Sequence, residues 1–561
     1  MREVREEPVR EPLAVKFVSS HATLRGLAMR ISDRIRAYIP ESGRTFSPYK
    51  FAAEHVFFAF AVAIAAAPLA FLLAILIHPA AFALFLAPFA ALSAGYLRIK
   101  SWTGDRRRSL DEELPFFAVH ASILQSAGRD LYDALCSTIG RGVFHQIGRD
   151  AAIMRRNTSY FRMGPLEGLE ELGRTSPNPK FRSLVLGFSS KHRAGGDVTH
   201  YLERKTDELL KDHEVRWDSY LQSVSFSGEL TIIMFFLLPI FMLMALFLAP
   251  GVGVSITQFV LAFGLPVMVC LGFAVIRGMQ PKSFNELEGS IPLAAVLAFS
   301  AGAVSVWLSF SAWSCIAAIV AAGAAGYGLP VALQRRQIAA HESALPEFLR
   351  DVIEYQKLGY ELTRAVVKIA EENTYNPEFD RMLAHVTRQL AGGHRLSEVY
   401  VRTRSWVTKA SFFFLGEVAE CGAYETESLE LLTGFVSNVL RINGRVRSSM
   451  HIYRWLALVA PLALGALFGA MTGFLGTLSA FRVAGEAAAP LFLTTEAVSP
   501  AIVSLGQATV LFTGMAAAWL ASYAADFTPR NTCWITAGVA VAATGIVLSS
   551  RVAAIMAGVV G

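Results

Sequence analysis

The chain has 561 residues, of which 53% are hydrophobic and only 17% are charged, and its mean hydropathy is +0.43. Soluble globular proteins carry about 25% charged residues, so this composition excludes a disordered chain and disfavours a wholly soluble enzyme. The net charge of +6 is not in itself a sign of nucleic-acid binding, because basic residues also accumulate on the cytoplasmic side of membrane proteins. We expect a membrane protein that has soluble parts and binds no nucleic acid.

Long apolar runs predict the transmembrane helices. A spanning helix needs about 20 mainly apolar residues, and about nine runs of this kind follow one another along the chain. They lie near 54–77, 80–97, 228–250, 255–276, 291–309, 312–333, 453–477, 499–523 and 532–557. Very short turns join the first two runs and the fifth and sixth, which predicts two helical hairpins or re-entrant loops. Ionisable residues occur only at the ends of the runs, which argues against an ion-coupled pump.

The runs divide the chain into six segments of a predicted all-α, polytopic membrane protein. They are a cytoplasmic N-terminal arm with an amphipathic helix (1–53), a transmembrane hairpin (54–97), a first cytoplasmic helical bundle (98–227), four transmembrane helices (228–333), a second cytoplasmic bundle (334–452) and three transmembrane helices (453–561). The apolar stripe of the arm could lie on the membrane or pack against a bundle, and the sequence leaves both possibilities open.

Basic residues near the span ends predict the orientation. Arg106-Arg107-Arg108, Arg335-Arg336 and Arg454 all fall on one side if the spans alternate, whereas the turns near 78, 250 and 310 carry no Lys or Arg. Such residues mark the cytoplasmic face, where they also contact anionic lipids. We therefore expect a multi-pass protein of the cytoplasmic membrane, with its N-terminus and both bundles in the cytoplasm and its C-terminus outside.

The two cytoplasmic segments share an internal repeat. A shift of 231 residues aligns repeat 1 (within 98–227) with repeat 2 (within 334–452) through the pattern (D/E)xxLPxFx₇QxxGx(D/E)LxxA. The apolar spacing is helical, and the glycines suit helix ends. A second glycine site, at Gly195-Gly196 in repeat 1 and Gly422 in repeat 2, also occurs in both repeats, at an offset slightly different from 231 residues. The residues expected to be structural in the two repeats are Leu114, Pro115, Gly128, Gly195 and Gly196 in the first and Leu345, Pro346, Gly359 and Gly422 in the second.

These motifs resemble the type II secretion F domain. The best stretch is Leu415-Gly416-Glu417-Val418-Ala419-Glu420-Cys421-Gly422 in repeat 2, whereas Phe188–Asp197 in repeat 1 keeps the glycines but not the Glu. The family comprises membrane platform proteins of type II secretion, type IV pili, tight-adherence pili and the archaellum. Two such domains with about nine spans are most similar to the archaeal members.

The resemblance implies a non-enzymatic platform without a cofactor. Its implied partners are a cytoplasmic hexameric secretion ATPase, pilin-like or archaellin-like subunits and a second copy of the chain. The absence of a GxxxxGK[ST] phosphate loop from the sequence agrees with ATP hydrolysis by a separate protein. Candidate ATPase contacts are the acidic residues Asp111, Glu112, Asp130, Asp197, Glu342, Glu361, Glu417, Glu420 and Glu425.

Two alternatives remain at the level of sequence. The acidic run that begins at Glu417 could be a solvated helix face instead of a contact surface. The whole protein could instead be a transporter or channel with regulatory cytoplasmic loops, which would need a polar path through the spans. The five cysteines and twelve histidines form no ligand-like cluster in the sequence, so we expect no metal site.

Overall fold

The computed structural model describes residues 13–36, 38–39, 47–76, 87–248, 258, 260, 264–309, 312–421, 426–483 and 500–560. Every regular element in these ranges is helical, which confirms the predicted all-α class. The chain divides into two compact units, Met1–Leu209 and Leu210–Gly561, and the division falls inside one helix.

Unit 1 contains the N-terminal arm, the first hairpin helices and repeat 1. Its helices are α1 (Leu13–Ser20), α2 (Ala22–Arg36), α3 (Pro48–Leu76), α4 (Ala87–Ser126), α5 (Leu131–Ser137), α6 (Gln146–Phe161), α7 (Pro165–Thr175), α8 (Pro179–Arg193) and the first part of α9 (Val198–Ile232).

Unit 2 contains repeat 2 and the remaining apolar helices. After the end of α9 and a π-helical turn at Ile233–Leu237 come α10 (Leu238–Leu248), α11 (Leu265–Met279), α12 (Ile291–Trp307), α13 (Ala312–Lys357), α14 (Leu362–Glu372), α15 (Pro377–Ala391), a 3₁₀ turn (Leu396–Glu398), α16 (Trp406–Cys421), α17 (Thr426–Val483), α18 (Pro500–Asp526) and α19 (Cys533–Val560).

The amphipathic arm packs against the hairpin helices. Ile35 of α2 is buried with Phe51 of α3 and Ile99 of α4, and Val18 of α1 is buried in a second cluster with α3. Leu27 stays exposed. The side of the arm that carries Ile35 therefore packs against the hairpin helices, an arrangement that differs from both possibilities expected from the sequence.

Apolar helices coincide with most of the predicted spans. Five are long and apolar enough to cross a membrane: Pro48–Pro68, Ser314–Lys357, Leu429–Phe474, Ile502–Asp526 and Cys533–Ala553. Three shorter apolar helices lie at Ile233–Met244, Leu265–Met279 and Ile291–Trp307. The predicted run 80–97 starts outside the described residues, and its second half is the beginning of α4. Large apolar side chains such as Phe58, Phe241 and Phe299 are exposed on these helices, as contact with lipid requires.

Four helices run without a break across the predicted limits between membrane and cytoplasmic segments. They are α4, α9, α13 and α17. The 46 residues of α13 correspond to a length of about 69 Å at 1.5 Å per residue, more than twice the hydrocarbon thickness of about 30 Å. Each repeat is therefore built directly on helices that extend from the membrane, and the limits of the six segments remain predictions.

Small residues bring α17 and α19 into close contact. A Cβ atom added to Gly465 would lie 2.5 Å from the carbonyl carbon of Gly545, and one added to Gly469 would lie 2.4 Å from the Cα of Ser549. Small residues four apart on both helices are a recurrent way for transmembrane helices to approach closely. These glycines therefore serve packing within the chain.

The close approach predicts opposite effects for two glycine substitutions in α17. Gly444 has open space around its Cβ position, so Gly444→Ala should keep or raise the melting temperature by removing a flexible residue from a helix. Gly465→Ala should lower the melting temperature, because the methyl group would collide with Gly545. Thermal unfolding of the detergent-solubilised protein measures both. An equal rise in both variants would contradict the close contact of α17 with α19.

Candidate functional site in the two repeats

The same helix-ending turn occurs in both repeats. Gly128 follows α4 with a φ of 79°, and Gly359 follows α13 with a φ of 88°. The amide of Gly128 donates to the carbonyl oxygen of Gln125 over 3.0 Å, and that of Gly359 donates to Gln356 over 2.8 Å. This is the Schellman arrangement, which requires a left-handed residue and so favours glycine. The repeat found in the sequence is thus present in the backbone.

The correspondence extends beyond the shared motif. Helices α6 and α15 begin 231 residues apart, and so do the left-handed residues that follow them, Arg162 (φ 51°) and Gly393 (φ 86°). The repeats then differ, because α7 in repeat 1 is replaced by the short 3₁₀ turn in repeat 2. This shorter connection accounts for the changed offset of the last glycine site.

The predicted structural residues of the motif occupy equivalent places. Leu114 and Leu345 are both fully buried, and Pro115 and Pro346 both lie inside long helices, α4 and α13. In repeat 1 the glycine site after α8 contains Gly195 with a φ of 64° and Gly196 beside it, whereas Gly422 lies outside the described residues.

Repeat 1 caps its third helix from a distant carboxylate. Glu113 of α4 is fully buried, and its oxygens accept hydrogen bonds from the amides of His145 (3.1 Å), Gln146 (2.9 and 3.0 Å) and Ile147 (2.8 Å) at the start of α6. A negative charge at this end of a helix also complements the helix dipole. Glu113 therefore fixes the position of α6 against α4.

Repeat 2 caps the equivalent helix locally. The position of Glu113 is taken by Ala344, and Asn376 precedes α15 with its side-chain oxygen accepting a hydrogen bond from the amide of Phe379 over 2.9 Å. The two repeats thus reach the same helix arrangement through different polar contacts.

Repeat 1 also contains a buried ion pair. Arg106 Nη2 of α4 lies 3.1 Å from both carboxylate oxygens of Asp150 in α6, and both side chains are buried. Burial raises the pKa of Asp150, and the Arg106 guanidinium opposes that rise. Arg106 was expected from the sequence to anchor the chain to lipid, but its charge is directed into the bundle.

Unit 2 contains a charged junction where the end of α18 meets the middle of α13 and of α17. Asp526, the last residue of α18, is buried and forms ion pairs with Arg335 of α13 and Arg454 of α17. Ser522 Oγ donates to the same carboxylate over 3.2 Å, and Asn531 Nδ2 also donates to it. One carboxylate therefore ties two helices of repeat 2 to the turn between α18 and α19.

Some of the predicted ATPase contacts are not accessible to a partner. Glu112 and Glu417 are only 7% and 2% exposed. Asp111 accepts a hydrogen bond from Asn178 Nδ2 over 2.9 Å, and Glu342 accepts one from Ser405 Oγ over 3.0 Å. Glu112 and Glu417 therefore have little surface to offer a partner, whereas Asp111 and Glu342 are partly exposed, and the contacts of all four with an ATPase remain predictions.

Other predicted contacts remain at the surface. Asp130 and Glu361 occupy the same position in the two repeats, immediately before α5 and α14, and both are exposed without a side-chain capping bond. Asp197 is exposed and accepts a hydrogen bond from the amide of His200 over 3.0 Å. Glu420 is exposed and accepts a hydrogen bond from Ser397 Oγ. Glu425 lies outside the described residues.

The comparison with known families identifies the first repeat. Residues 117–246 match the family described as type II secretion system (T2SS), protein F. This stretch is a type II secretion F domain. It includes the glycine turn, helices α5 to α8 and the apolar helix that follows α9, which confirms the resemblance expected from the sequence. Searches of curated proteins and of solved structures found no match.

Repeat 1 contains two buried carboxylates that sequence reasoning missed, Glu113 just before the matched stretch and Asp150 within it. Both looked like ordinary solvated helix residues, because each stands in a charged stretch next to arginines or other acids. Asp526 was missed for a similar reason, since a single acid after an apolar run normally marks the end of a span. In the described ranges no three His, Cys, Asp or Glu side chains are grouped as metal ligands.

The capping of α6 can be tested by removing the Glu113 carboxylate. Glu113→Ala should cost about 3 kcal/mol of unfolding free energy, because the amides at the start of α6 lose a charged acceptor in a buried site. Hydrogen exchange should become faster in α6 but not in α15, which has its own cap. Unchanged protection of α6 would contradict the proposed role of Glu113.

The junction at Asp526 can be tested by neutralising its charge. Asp526→Asn should destabilise the protein by about 3 kcal/mol, because two buried arginines lose their counter-charge. The control is Glu229→Gln, which neutralises an exposed acid at another span end. Thermal unfolding in detergent compares the two variants, and equal melting temperatures would show that the buried ion pairs do not hold the helices together.

Proposed function

We propose that the chain is the platform protein of a type IV pilus-like filament machine, an archaellum, an adhesive pilus or a type II secretion system. The observation that carries this proposal is the F domain at 117–246 in a chain with several apolar helices long enough to span a membrane. Repeat 2 has the same glycine turn and the same helices up to its third helix, which favours a second F domain. The proposed role is non-enzymatic and uses no cofactor.

The proposed energy source is a cytoplasmic hexameric ATPase that contacts both repeats. Asp130 and Glu361 are the best candidates for this contact, because they are exposed at equivalent positions and their side chains cap no helix. Glu361 follows directly on α13, which is continuous with an apolar segment. Force applied there by the ATPase would be transmitted along that helix to the membrane.

The proposed membrane partners are pilin-like subunits and a second copy of the chain. Exposed apolar side chains on α10, α11 and α12, such as Phe241, Leu271 and Phe299, offer surfaces that could contact other transmembrane helices as well as lipid. Uncharged helix faces of this kind suit contacts that form and break as subunits are inserted into a filament.

The proposed orientation places the N-terminus and both repeats in the cytoplasm and the C-terminus outside. Contacts in unit 2 support a topology in which successive spans cross the membrane in opposite directions. Arg530 donates to the carbonyl of Leu287, Gln280 Nε2 donates to that of Tyr523 over 3.3 Å, and Asp526 pairs with Arg335. All of these residues belong to segments predicted to lie on the same, cytoplasmic side.

Charge reversal at the two equivalent acids tests the proposed function. Asp130→Lys combined with Glu361→Lys should strongly reduce co-purification of the detergent-solubilised protein with its hexameric ATPase, because like charges would replace attraction at both repeats. The matched control is Glu171→Lys combined with Glu371→Lys, which reverses two exposed acids elsewhere in the same repeats. Retention of the ATPase by the first double variant at the control level would refute these contacts.

A further inference from the structure

Repeat 2 has a polar cleft that the platform role does not use. Its volume is about 780 Å³, within the range of small-molecule sites. It lies between segment 280–290, α13, α15 and the stretch that precedes α16. Its basic lining consists mainly of the arginines Arg381, Arg388, Arg402 and Arg404.

The positive charge of the cleft exceeds what its own acids neutralise. Glu378 pairs with Arg381 over 3.0 Å, and Glu286 pairs with Lys409 over 2.9 Å. The third acid, Glu288, is exposed. Among the described residues, the Arg402 side chain has no hydrogen-bond or ion-pair partner.

Arg404 supplies a second unused donor. Its Nη1 atom is buried and has no acceptor among the described residues. A buried donor without an acceptor is unfavourable for folding. Because Arg404 also lines the open cleft, this donor points to an anionic group that is bound from outside the chain.

The comparison of the two repeats strengthens this argument. At the positions of Arg106 and Asp150, which form the buried ion pair of repeat 1, repeat 2 has Gln337 and Arg381. Both of these residues line the cleft. In repeat 1, the carboxylate of Asp150 pairs with the guanidinium of Arg106 at this place. In repeat 2, an arginine stands at the position of the acid, and the corresponding place is an open cleft.

The cleft also lies near the expected level of the lipid headgroups. Gln337 stands four residues beyond the predicted end of the span at 333, a distance of about 6 Å along the helix. Glu288 lies two residues before Ser290, which caps the apolar helix α12. Phosphate groups of the cytoplasmic leaflet are therefore within reach, as are soluble phosphate compounds.

We propose that this cleft binds a phosphate-bearing anion through Arg402 and Arg404. The planar guanidinium groups match phosphate oxygens in a two-pronged geometry. The anion can come from the headgroup of an anionic phospholipid or from a soluble compound. In either case it supplies the acceptor that Arg404 Nη1 lacks.

Two pairs of probes distinguish the sources. The full chain in detergent is titrated with short-chain phosphatidylglycerol against short-chain phosphatidylcholine, and with inorganic phosphate against chloride at equal ionic strength. The midpoint of the rise in melting temperature gives an apparent dissociation constant. A rise with phosphatidylglycerol alone identifies a lipid headgroup, and a rise with inorganic phosphate identifies a soluble ligand. No rise with either probe overturns the proposal.

Substitutions of the cleft arginines test whether the anion binds in the cleft. Arg404→Gln and Arg402→Gln should each weaken the apparent affinity about ten-fold or more, since each removes a charged donor. Arg402 is exposed, so its variant keeps the test valid if Arg404→Gln does not fold. The control is Arg395→Gln, an exposed arginine of repeat 2 outside the cleft lining, which should not change the affinity. Unchanged affinity in the Arg402 variant overturns the proposal.

Discussion

A chain that crosses lipid must satisfy its backbone hydrogen bonds internally, and this protein meets the constraint with helices that do not stop at the membrane surface. The 46-residue α13 and the 58-residue α17 each contain an apolar segment and a polar segment, and the helical hydrogen bonding continues without a break from one to the other. Since repeat 2 includes the continuation of these same helices, no flexible linker separates the apolar part of each long helix from the repeat. A platform that transmits force from an ATPase to membrane subunits needs this kind of rigid connection.

Buried carboxylates are the second feature that connects the helices of this protein. Glu113 and Asp150 join α4 and α6 in repeat 1, and Asp526 joins α18 to α13 and α17 in unit 2. In each case a carboxylate satisfies donors from elements that are far apart in sequence. Repeat 2 has Ala344 and Arg381 at the positions of the two acids of repeat 1, caps its helix with Asn376 and has a basic cleft that Arg381 lines. The two repeats thus have corresponding helices but different polar contacts between those helices.

The sequence predicted the repeat well because its signal is local. The left-handed turn at Gly128 and Gly359 depends on a glycine and on neighbouring carbonyl groups, all within six residues. The accessibility of the acids could not be predicted in the same way. Glu417 and Glu420 are three residues apart in one acidic run, yet the first is buried and the second is exposed. Their difference depends on which face of α16 packs against other helices.

By itself, the sequence determined that the chain is an all-helical membrane protein with a duplicated motif, the first copy of which is related to the F domain. Composition, apolar run length and a fixed repeat distance are properties of the chain that packing does not alter. Only the tertiary structure decided that Glu113, Asp150 and Asp526 are structural and that Asp130 and Glu361 stay exposed. The residue type alone does not show whether a carboxylate is solvated or buried, because its surroundings depend on the helices that fold around it.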